Sequence, residues 1–146
     1  MTVKDKGRMM KRSTADRLLD GVRERIILVN GNDDFACRVD RAVVFGSYVN
    51  DPERDRIGDL DIAVRLVDRY PKEQMTRVRQ RKYQEAPRHM DDISAMSWYR
   101  EEVYRFIRNR SPYIQIMDLD NNREAVFSKD WIDLPVEKEK EREGEE

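Results

Sequence analysis

Apolar residues recur at helical spacing in three parts of the chain, and each set predicts an amphipathic helix. The first set begins after Ser13, a residue that favours helix N-caps, and ends near Gly31. The second lies between Pro71 and Pro87, and the third follows Ser97. The apolar positions are Leu18, Leu19, Val22, Ile26 and Val29 in the first helix, Met75, Val78 and Tyr83 in the second, and Tyr99, Val103, Phe106 and Ile107 in the third.

Short runs rich in β-branched and aromatic residues predict three strands, at residues 41–45, 60–67 and 113–119. Helical segments separate the second strand from the third, as is usual within a mixed sheet. The sequence therefore predicts an α+β fold, a small mixed β-sheet with helices packed on one face. Three apolar residues beyond the last strand either close over the core, the interpretation we favour, or form an exposed surface for a partner: Phe127, Trp131 and Ile132.

At 146 residues, with 38% hydrophobic and 40% charged content, the chain is expected to form one small domain with a heavily solvated surface. We place this domain at residues 13–135, after a flexible segment at residues 1–12. A charged tail at residues 136–146 lacks any apolar period and is expected to be disordered. The chain has no apolar run that could span a bilayer and no signal-peptide core near its start. We therefore expect a cytoplasmic protein without a membrane partner.

Charge distribution and cysteine content favour some kinds of site and exclude others. The net charge is −1, but basic residues outnumber acidic ones between residues 69 and 110. This excess favours either a bound polyanion or a solvated amphipathic helix, and we slightly prefer the helix. Cys37 is the single cysteine and His89 the single histidine, which excludes an intramolecular disulfide and a zinc site made of soft ligands.

One segment combines residue types that suit the binding of a nucleoside triphosphate. A predicted strand ends in Gly46 and Ser47, and after eleven further residues a second strand opens with Asp59 and Asp61. Glycine permits a tight turn and a close approach of backbone to a ligand, and Ser47 adds a hydroxyl donor. If a helix starts there, its leading N–H groups would face the terminal phosphates.

Asp59 and Asp61 are two residues apart, so in an extended strand they project from the same face with Cα atoms about 6.5 Å apart. Two like charges beside apolar neighbours repel unless a cation lies between them. Mg²⁺ suits such an open pair, because it binds a few carboxylate oxygens and completes its shell with water and substrate phosphates. The pair therefore predicts a magnesium site.

Two other interpretations of this segment compete with nucleotide binding. An ordinary β-hairpin accounts for the turn residues of the loop, but not for two carboxylates on one face of an apolar run. A calcium-binding loop that starts at Asp51 fails on spacing, because its sixth position is Arg56 rather than Gly and its twelfth is Ile62 rather than Glu.

Gly46 and Ser47, the spacer, and an Asp-x-Asp between apolar strands together resemble the polymerase-beta-type nucleotidyltransferase superfamily. Within it, the chain is most similar to the minimal nucleotidyltransferases, several of which are encoded as antitoxins beside a helical toxin. The resemblance covers residues 40–120, approximately. It implies that Asp59 and Asp61 hold Mg²⁺, that Gly46 and Ser47 bind the β- and γ-phosphates, and that AMP moves from ATP, or another nucleoside monophosphate from its triphosphate, to a hydroxyl of a protein or RNA.

Members of this superfamily usually carry a third carboxylate on the next core strand, where it completes the metal site and helps to activate the incoming hydroxyl. The matching position here holds Gln115, which neither accepts a proton efficiently nor binds Mg²⁺ as an anion. Asp118 is our candidate for the third catalytic carboxylate, through a shifted or bulged register. Asp120 is the next candidate, if the strand is longer. Both aspartates fit a turn before Asn121 equally well.

The third carboxylate divides the function hypotheses. With it, the chain is expected to be an Mg²⁺-dependent nucleotidyltransferase that acts on a nucleoside triphosphate, with a cognate toxin or another protein as acceptor. Without it, the domain is expected to keep nucleotide binding but to neutralise a partner protein by contact. A regulator that binds RNA through residues 69–88 is a weaker hypothesis, because that region lacks evident aromatic stacking residues.

Overall fold

The computed structural model describes residues 9–138, which contain both helices and strands. The strands are β1 (Met10–Lys11), β2 (Cys37–Phe45), β3 (Arg56–Ile57), β4 (Leu60–Asp68), β5 (Ile114–Asp118) and β6 (Ile132–Leu134). The helices are α1 (Arg12–Asn30), α2 (Ser47–Asn50), α3 (Lys72–Glu85), α4 (Asp92–Met96), α5 (Trp98–Arg108) and α6 (Arg123–Phe127), with a 3₁₀ turn at Asp120–Asn122. This content confirms the predicted α+β fold class.

Four strands form the central sheet, in the order β5-β4-β2-β6. The long strands β2 and β4 are antiparallel neighbours, and β5 joins β4 in parallel. Because parallel neighbours require a crossover, the chain passes through α3, α4 and α5 between them. The sheet is therefore mixed, as predicted. The three predicted strands correspond to β2, β4 and β5, whereas β6, which pairs with the outer side of β2, was not predicted.

The two faces of this sheet are covered differently. On one face, alternate residues of β2 and β4, such as Val44 and Ile62, pack against α1 and α5. Full burial of such a side chain contributes about 1.5–3 kcal/mol to folding. On the other face, the 3₁₀ turn and α6 cover part of the sheet, and the residues in this smaller core are Val43, Phe45, Ala63, Leu119 and Val126. Helices α1 and α5 thus pack on one face, as predicted, whereas the short helix α6 lies on the other face.

The start of α1 differs from the prediction. The helix begins at Arg12, and its N-cap is Lys11 without a side-chain capping bond, so the predicted cap at Ser13 is wrong. The Arg12 side chain instead holds the loop that precedes β4, through bonds to the backbone carbonyls of Tyr48, Asp51 and Arg54. Met10 and Lys11 pair with β3, so the fold includes residues that we expected to belong to the flexible segment 1–12.

Several other details refine the predicted core. Near the end of α3 the buried residue is Lys82, whereas Tyr83 is exposed. Phe127 is partly buried in the smaller core, but Trp131 and Ile132 are 40% and 47% exposed, so the core interpretation is wrong for these two residues.

At the C-terminal end, the carbonyl of Val136 accepts a hydrogen bond of 2.7 Å from Asn30 Nδ2. The remainder of the predicted tail from residue 139, like residues 1–8, lies outside the described residues. Among the described helices, none combines the length and the apolar composition needed to cross a lipid bilayer.

Candidate functional site

Gly46 forms the corner between β2 and α2. Its φ of +83° lies in a region that favours glycine, because a side chain there strains the backbone. A Cβ atom at this position would also collide with the Asp61 carboxylate, whose Oδ2 and Cγ atoms occupy that space. The backbone at Gly46 and the Asp61 side chain therefore lie in direct contact.

Asp61 lies at the centre of the site. In the sheet it pairs with Phe45 on β2 and with Gln115 on β5. Its side chain is half-buried, and this burial, together with the negative charge of Asp59, raises the pKa of Asp61 to about 6. None of the ion pairs formed between residues 9–138 includes Asp59 or Asp61. Two neighbouring acids thus face each other without a compensating cation from the described chain.

Asp59 lies directly before β4 and is exposed to solvent. Gln115 Nε2 donates to Asp59 Oδ2 at 3.5 Å, which is long for a hydrogen bond. Gln115 is therefore next to both aspartates, at the position where the resemblance implies a third carboxylate. Its neutral amide can supply an oxygen ligand or a donor, but it cannot take up a proton.

Asp118 lies on the other face of the sheet. It pairs with Val64, on the side that α5 covers. Its Oδ1 atom lies 3.4 Å from Arg100 Nη2, and its Oδ2 atom accepts a bond of 2.8 Å from the Asn121 backbone N–H. The strand continues regularly from Gln115, so no bulge turns Asp118 towards the Asp59/Asp61 pair. The structure does not bring our candidate third carboxylate to the site.

Asp120 is also engaged elsewhere. Its carboxylate lies 3.4 Å from an Arg123 guanidinium nitrogen and 3.9 Å from one of Arg65. Arg65 is four residues beyond Asp61 along β4, which corresponds to about 13 Å in a strand. Of the sequence-predicted residues, the structure therefore brings together Gly46, Asp61 and Asp59, with Ser47 directly after the glycine.

The loop between Ser47 and Asp59 is held in place by side chains from outside it. Arg12 binds its backbone carbonyls, and its guanidinium lies 4.9 Å from the centre of the Tyr48 ring. The Tyr48 hydroxyl donates to Asp16 at 2.5 Å. Residues from α1 therefore fix the segment that follows the Gly46 corner.

Asn50 is a supporting residue that the sequence interpretation missed. Its side-chain amide donates to the carbonyls of Gly46 and Asp130, at 3.1 and 3.3 Å. In return, its Oδ1 atom accepts a bond of 3.0 Å from the Asp130 N–H. Asn50 thus connects the glycine corner to the segment before β6. In the sequence, the run Asn50-Asp51-Pro52 signals a turn, and nothing in it indicates a partner eighty residues away.

A cleft of about 460 Å³ lies along the free edge of β5, beside α5. Its walls include Gln115 and the two arginines Arg105 and Arg108. Arg105 is paired with Glu101 at 3.3 Å, so part of this positive charge is compensated. Gln115 is the wall residue of this cleft that also neighbours the Asp59/Asp61 pair, and neither aspartate lines the cleft.

The basic residues of α3 are largely engaged in ion pairs. Arg79 pairs with Asp68, Arg81 with Glu85, and Lys82 with Glu85 and Glu102. Just before α3, the mostly buried guanidinium of Arg69 donates to the carbonyls at the end of α1. These contacts favour the interpretation of α3 as a solvated, charged helix over that of a polyanion-binding surface.

The donor set fits an open magnesium site better than a protein cage. Across residues 9–138, no group of three or more His, Cys, Asp and Glu side chains is arranged to hold a metal ion. Mg²⁺ needs only one or two carboxylates when water and phosphate oxygens complete its shell. Burial and the charge of Asp59 raise the pKa of Asp61, and a cation bound nearby would offset both effects by favouring the ionised carboxylate.

Comparisons with known proteins add no assignment to this geometry. Neither family models, nor curated proteins, nor solved structures give a match to the chain. We therefore infer the function from the residues and contacts of this chain.

Proposed function

We propose that this protein is an Mg²⁺-dependent nucleotidyltransferase. It moves AMP from ATP, or another nucleoside monophosphate from its triphosphate, to a hydroxyl group. The observation that carries the proposal is the contact between the Asp61 carboxylate and the Gly46 backbone, with Asp59 beside it. The Asp61 carboxylate lies against a backbone corner that has no side chain, and neither Asp61 nor Asp59 has an arginine or lysine partner in residues 9–138.

Each part of the site has a separate task in this proposal. Asp59 and Asp61 would hold Mg²⁺, which supplies positive charge to the phosphates when bound. The corner at Gly46 lets the triphosphate approach the backbone, and the Ser47 hydroxyl donates to the terminal phosphates. The acceptor oxygen forms a bond to the α-phosphorus as the bond from that phosphorus to the β-bridging oxygen breaks, and pyrophosphate leaves. The hydroxyl proton passes to Asp59 or to water, since Gln115 cannot accept it.

A second candidate function is favoured by Gln115 itself. A neutral residue beside both aspartates leaves the site without the usual third acid, which would slow the chemical step but leave nucleotide binding possible. In that case the domain binds a nucleotide and acts on a partner protein, such as a cognate toxin, by contact alone.

The test is transfer of label from α-labelled ATP. The purified protein is incubated with Mg²⁺ and labelled ATP, alone, with a candidate acceptor protein and with total RNA. The enzyme proposal predicts a labelled macromolecule and an equal amount of pyrophosphate. In the double variant Asp59→Asn/Asp61→Asn, transfer of label is expected to fall at least about 100-fold, because no carboxylate remains there to hold the Mg²⁺ that compensates the phosphate charges.

The matched control is the double variant Asp118→Asn/Asp120→Asn, which removes two nearby carboxylates that lie away from the site. This control variant is expected to transfer label as the unaltered protein does. Nucleotide binding without any label would support the second candidate. If neither ATP binding nor labelling depends on Asp59 and Asp61, both candidates are wrong.

A further inference from the structure

Four side chains form a row across one face of the sheet, level with the Gly46 corner. Phe45 pairs with Asp61, and Asp61 pairs with Gln115. On the other side of β2, Ile132 pairs with Val44, so Trp131 is level with Phe45. The order of strands therefore gives the row Trp131, Phe45, Asp61, Gln115. An exposed indole lies at one end, two strand spacings, or about 10 Å, from the carboxylate.

Trp131 is held in this position although 40% of it is exposed. Its ring contacts that of Phe127 edge to face, with centroids 4.7 Å apart and planes at 76°. Guanidinium groups of Arg41 and Arg123 lie 5.2 and 5.3 Å from the centre of the Phe127 ring. Asp133, two residues after Trp131, is bound to Arg41 at 2.9 Å. The indole is therefore fixed before any ligand arrives.

The backbone beside Trp131 is connected directly to the glycine corner. Asn50 accepts from the N–H of Asp130 and donates to its carbonyl, and the same amide donates to the Gly46 carbonyl. The residue next to the indole and the backbone beside the Asp61 carboxylate are thus joined through one side chain. This connection links the segment that carries Trp131 to the glycine corner.

Exposed aromatic rings elsewhere in residues 9–138 have no comparable relation to the acids. Tyr83 lies on α3, beside the apolar residue Met96 of α4. The other tryptophan, Trp98, begins α5, which packs on the opposite face of the sheet, and it is covered by Arg105. Among the aromatic rings of the described residues, Trp131 alone combines exposure with a place in the row that contains Asp61.

We propose that Trp131 is the stacking surface for the base of the bound nucleotide, an inference that rests on the proposed function. A triphosphate with its phosphates between Gly46 and Asp61 has to extend its ribose and base away from them, and beyond the buried Phe45 the exposed ring in this row is the Trp131 indole. Stacking on an aromatic side chain is worth about 1–3 kcal/mol per base and accepts any base. Purines are bound more tightly than pyrimidines, because their π-face is larger.

The test separates the base from the phosphates by comparing ATP with inorganic tripolyphosphate, both with Mg²⁺. Trp98→Phe leaves Trp131 as the single indole, since the chain has two tryptophans. In this variant ATP is expected to quench the tryptophan fluorescence and tripolyphosphate to leave it nearly unchanged. By calorimetry, Trp131→Ala is expected to weaken ATP binding about 10-fold and tripolyphosphate binding less than twofold.

Matched variants distinguish stacking from loss of structure. Trp131→Phe keeps an aromatic face and is expected to recover most of the affinity for ATP. Trp98→Ala, which removes an indole from the opposite face, is expected to leave both affinities unchanged. Retained tripolyphosphate binding in Trp131→Ala shows that the site is still folded.

Equal effects of Trp131→Ala on ATP and tripolyphosphate, or no effect on either, would overturn the stacking assignment and leave the proposed function intact. If tripolyphosphate and ATP both fail to bind the unaltered protein with Mg²⁺, the proposed function fails, and the stacking assignment fails with it. A loss confined to ATP supports the assignment.

Discussion

Two pairs of aspartates lie at the β4 and β5 strands, and their surroundings are opposite. Asp118 and Asp120 each lie within ion-pair distance of an arginine, and Asp118 also accepts a backbone N–H. Asp59 and Asp61 have no such partner among the ion pairs of residues 9–138, and burial together with the charge of Asp59 raises the pKa of Asp61. The first pair stabilises the fold. Asp61 lowers the stability of the fold at neutral pH, because its raised pKa makes the ionised form unfavourable in the folded state.

Closeness along the chain was therefore not sufficient to identify a third acid at the site. Asp118 is close to the site along the chain, but it is three residues beyond Gln115, so in a regular strand it points to the other face.

The largest effect is expected from Gly46→Ala. A Cβ there meets the Asp61 carboxylate, and the backbone φ of +83° adds strain, so either Asp61 or the corner has to move. We expect loss of Mg²⁺-nucleotide binding by at least about 100-fold and a decrease of about 1–3 kcal/mol in the free energy of unfolding. Calorimetry and denaturant titration measure the two quantities.

Gly58→Ala is the matched control for this substitution. The nearest atom to a Cβ at Gly58 is the Met9 side chain at 3.8 Å, which is ordinary contact. This variant is expected to bind nucleotide as the unaltered protein does. Equal binding by the two glycine variants would show that the contact between Gly46 and Asp61 has no part in the site.

The next effect is the pH dependence of magnesium binding. Because the pKa of Asp61 is raised to about 6, this carboxylate is mostly ionised at pH 7 and mostly protonated at pH 5. The affinity for Mg²⁺ is therefore expected to fall about tenfold from pH 7 to pH 5. Titration calorimetry at several pH values measures it. In Asp61→Asn the remaining affinity should be nearly independent of pH in this interval, and an unchanged pH profile would contradict the assignment.

A smaller gain is expected from Gln115→Glu. The new carboxylate lies beside Asp59 and Asp61 and restores the third acid that the resemblance implies. We expect tighter Mg²⁺ binding by about 3–10-fold and faster transfer of label if the protein is an enzyme. Gln115→Ala serves as the control for loss of the amide. A decrease in Mg²⁺ affinity in Gln115→Glu would show that three acids at this position only repel each other.

The smallest effects concern stability, and their signs are opposite for the two pairs. A raised pKa means that the folded state binds the Asp61 proton more tightly than the unfolded state, so ionisation lowers stability as the pH rises from about 4 to about 6. Asp61→Asn is expected to raise the free energy of unfolding by about 1–2 kcal/mol at pH 7, after allowance for solvent screening, and by little at pH 4.

For the other pair, Asp118→Asn is expected to lower the free energy of unfolding by about 1 kcal/mol, because Arg100 loses its charged partner. Urea unfolding at pH 4 and pH 7 compares the two variants. Destabilisation by Asp61→Asn at pH 7 would contradict the description of Asp61 as an uncompensated acid.

Much of the fold could be predicted because it follows from local patterns. The apolar runs of β2 and β4 are buried on both faces, and the stripe of α1 has the spacing of a core helix. The segments that the sequence did not predict depend on distant partners. β6 has three residues and forms only by pairing with β2, and the start of α1 depends on bonds from Arg12 to the loop before β4.

The same distinction applies to the candidate site. Gly46, Ser47, Asp59 and Asp61 could be recognised because their spacing along the chain reflects one turn and one strand. Asn50 and Trp131 could not, because their relation to the site comes from contacts across the sheet. The function inferred from these residues stays a prediction until it is measured.

In the proposed function, Asp61, Asp59 and the Gly46 corner together bind a magnesium polyphosphate. The most direct measurement is calorimetric titration of tripolyphosphate into the unaltered protein and into Asp61→Asn, each with and without Mg²⁺. We predict that the unaltered protein binds tripolyphosphate only with Mg²⁺, and that Asp61→Asn loses this binding while it remains folded. Binding of equal strength in both proteins, or binding that does not require Mg²⁺, would contradict it.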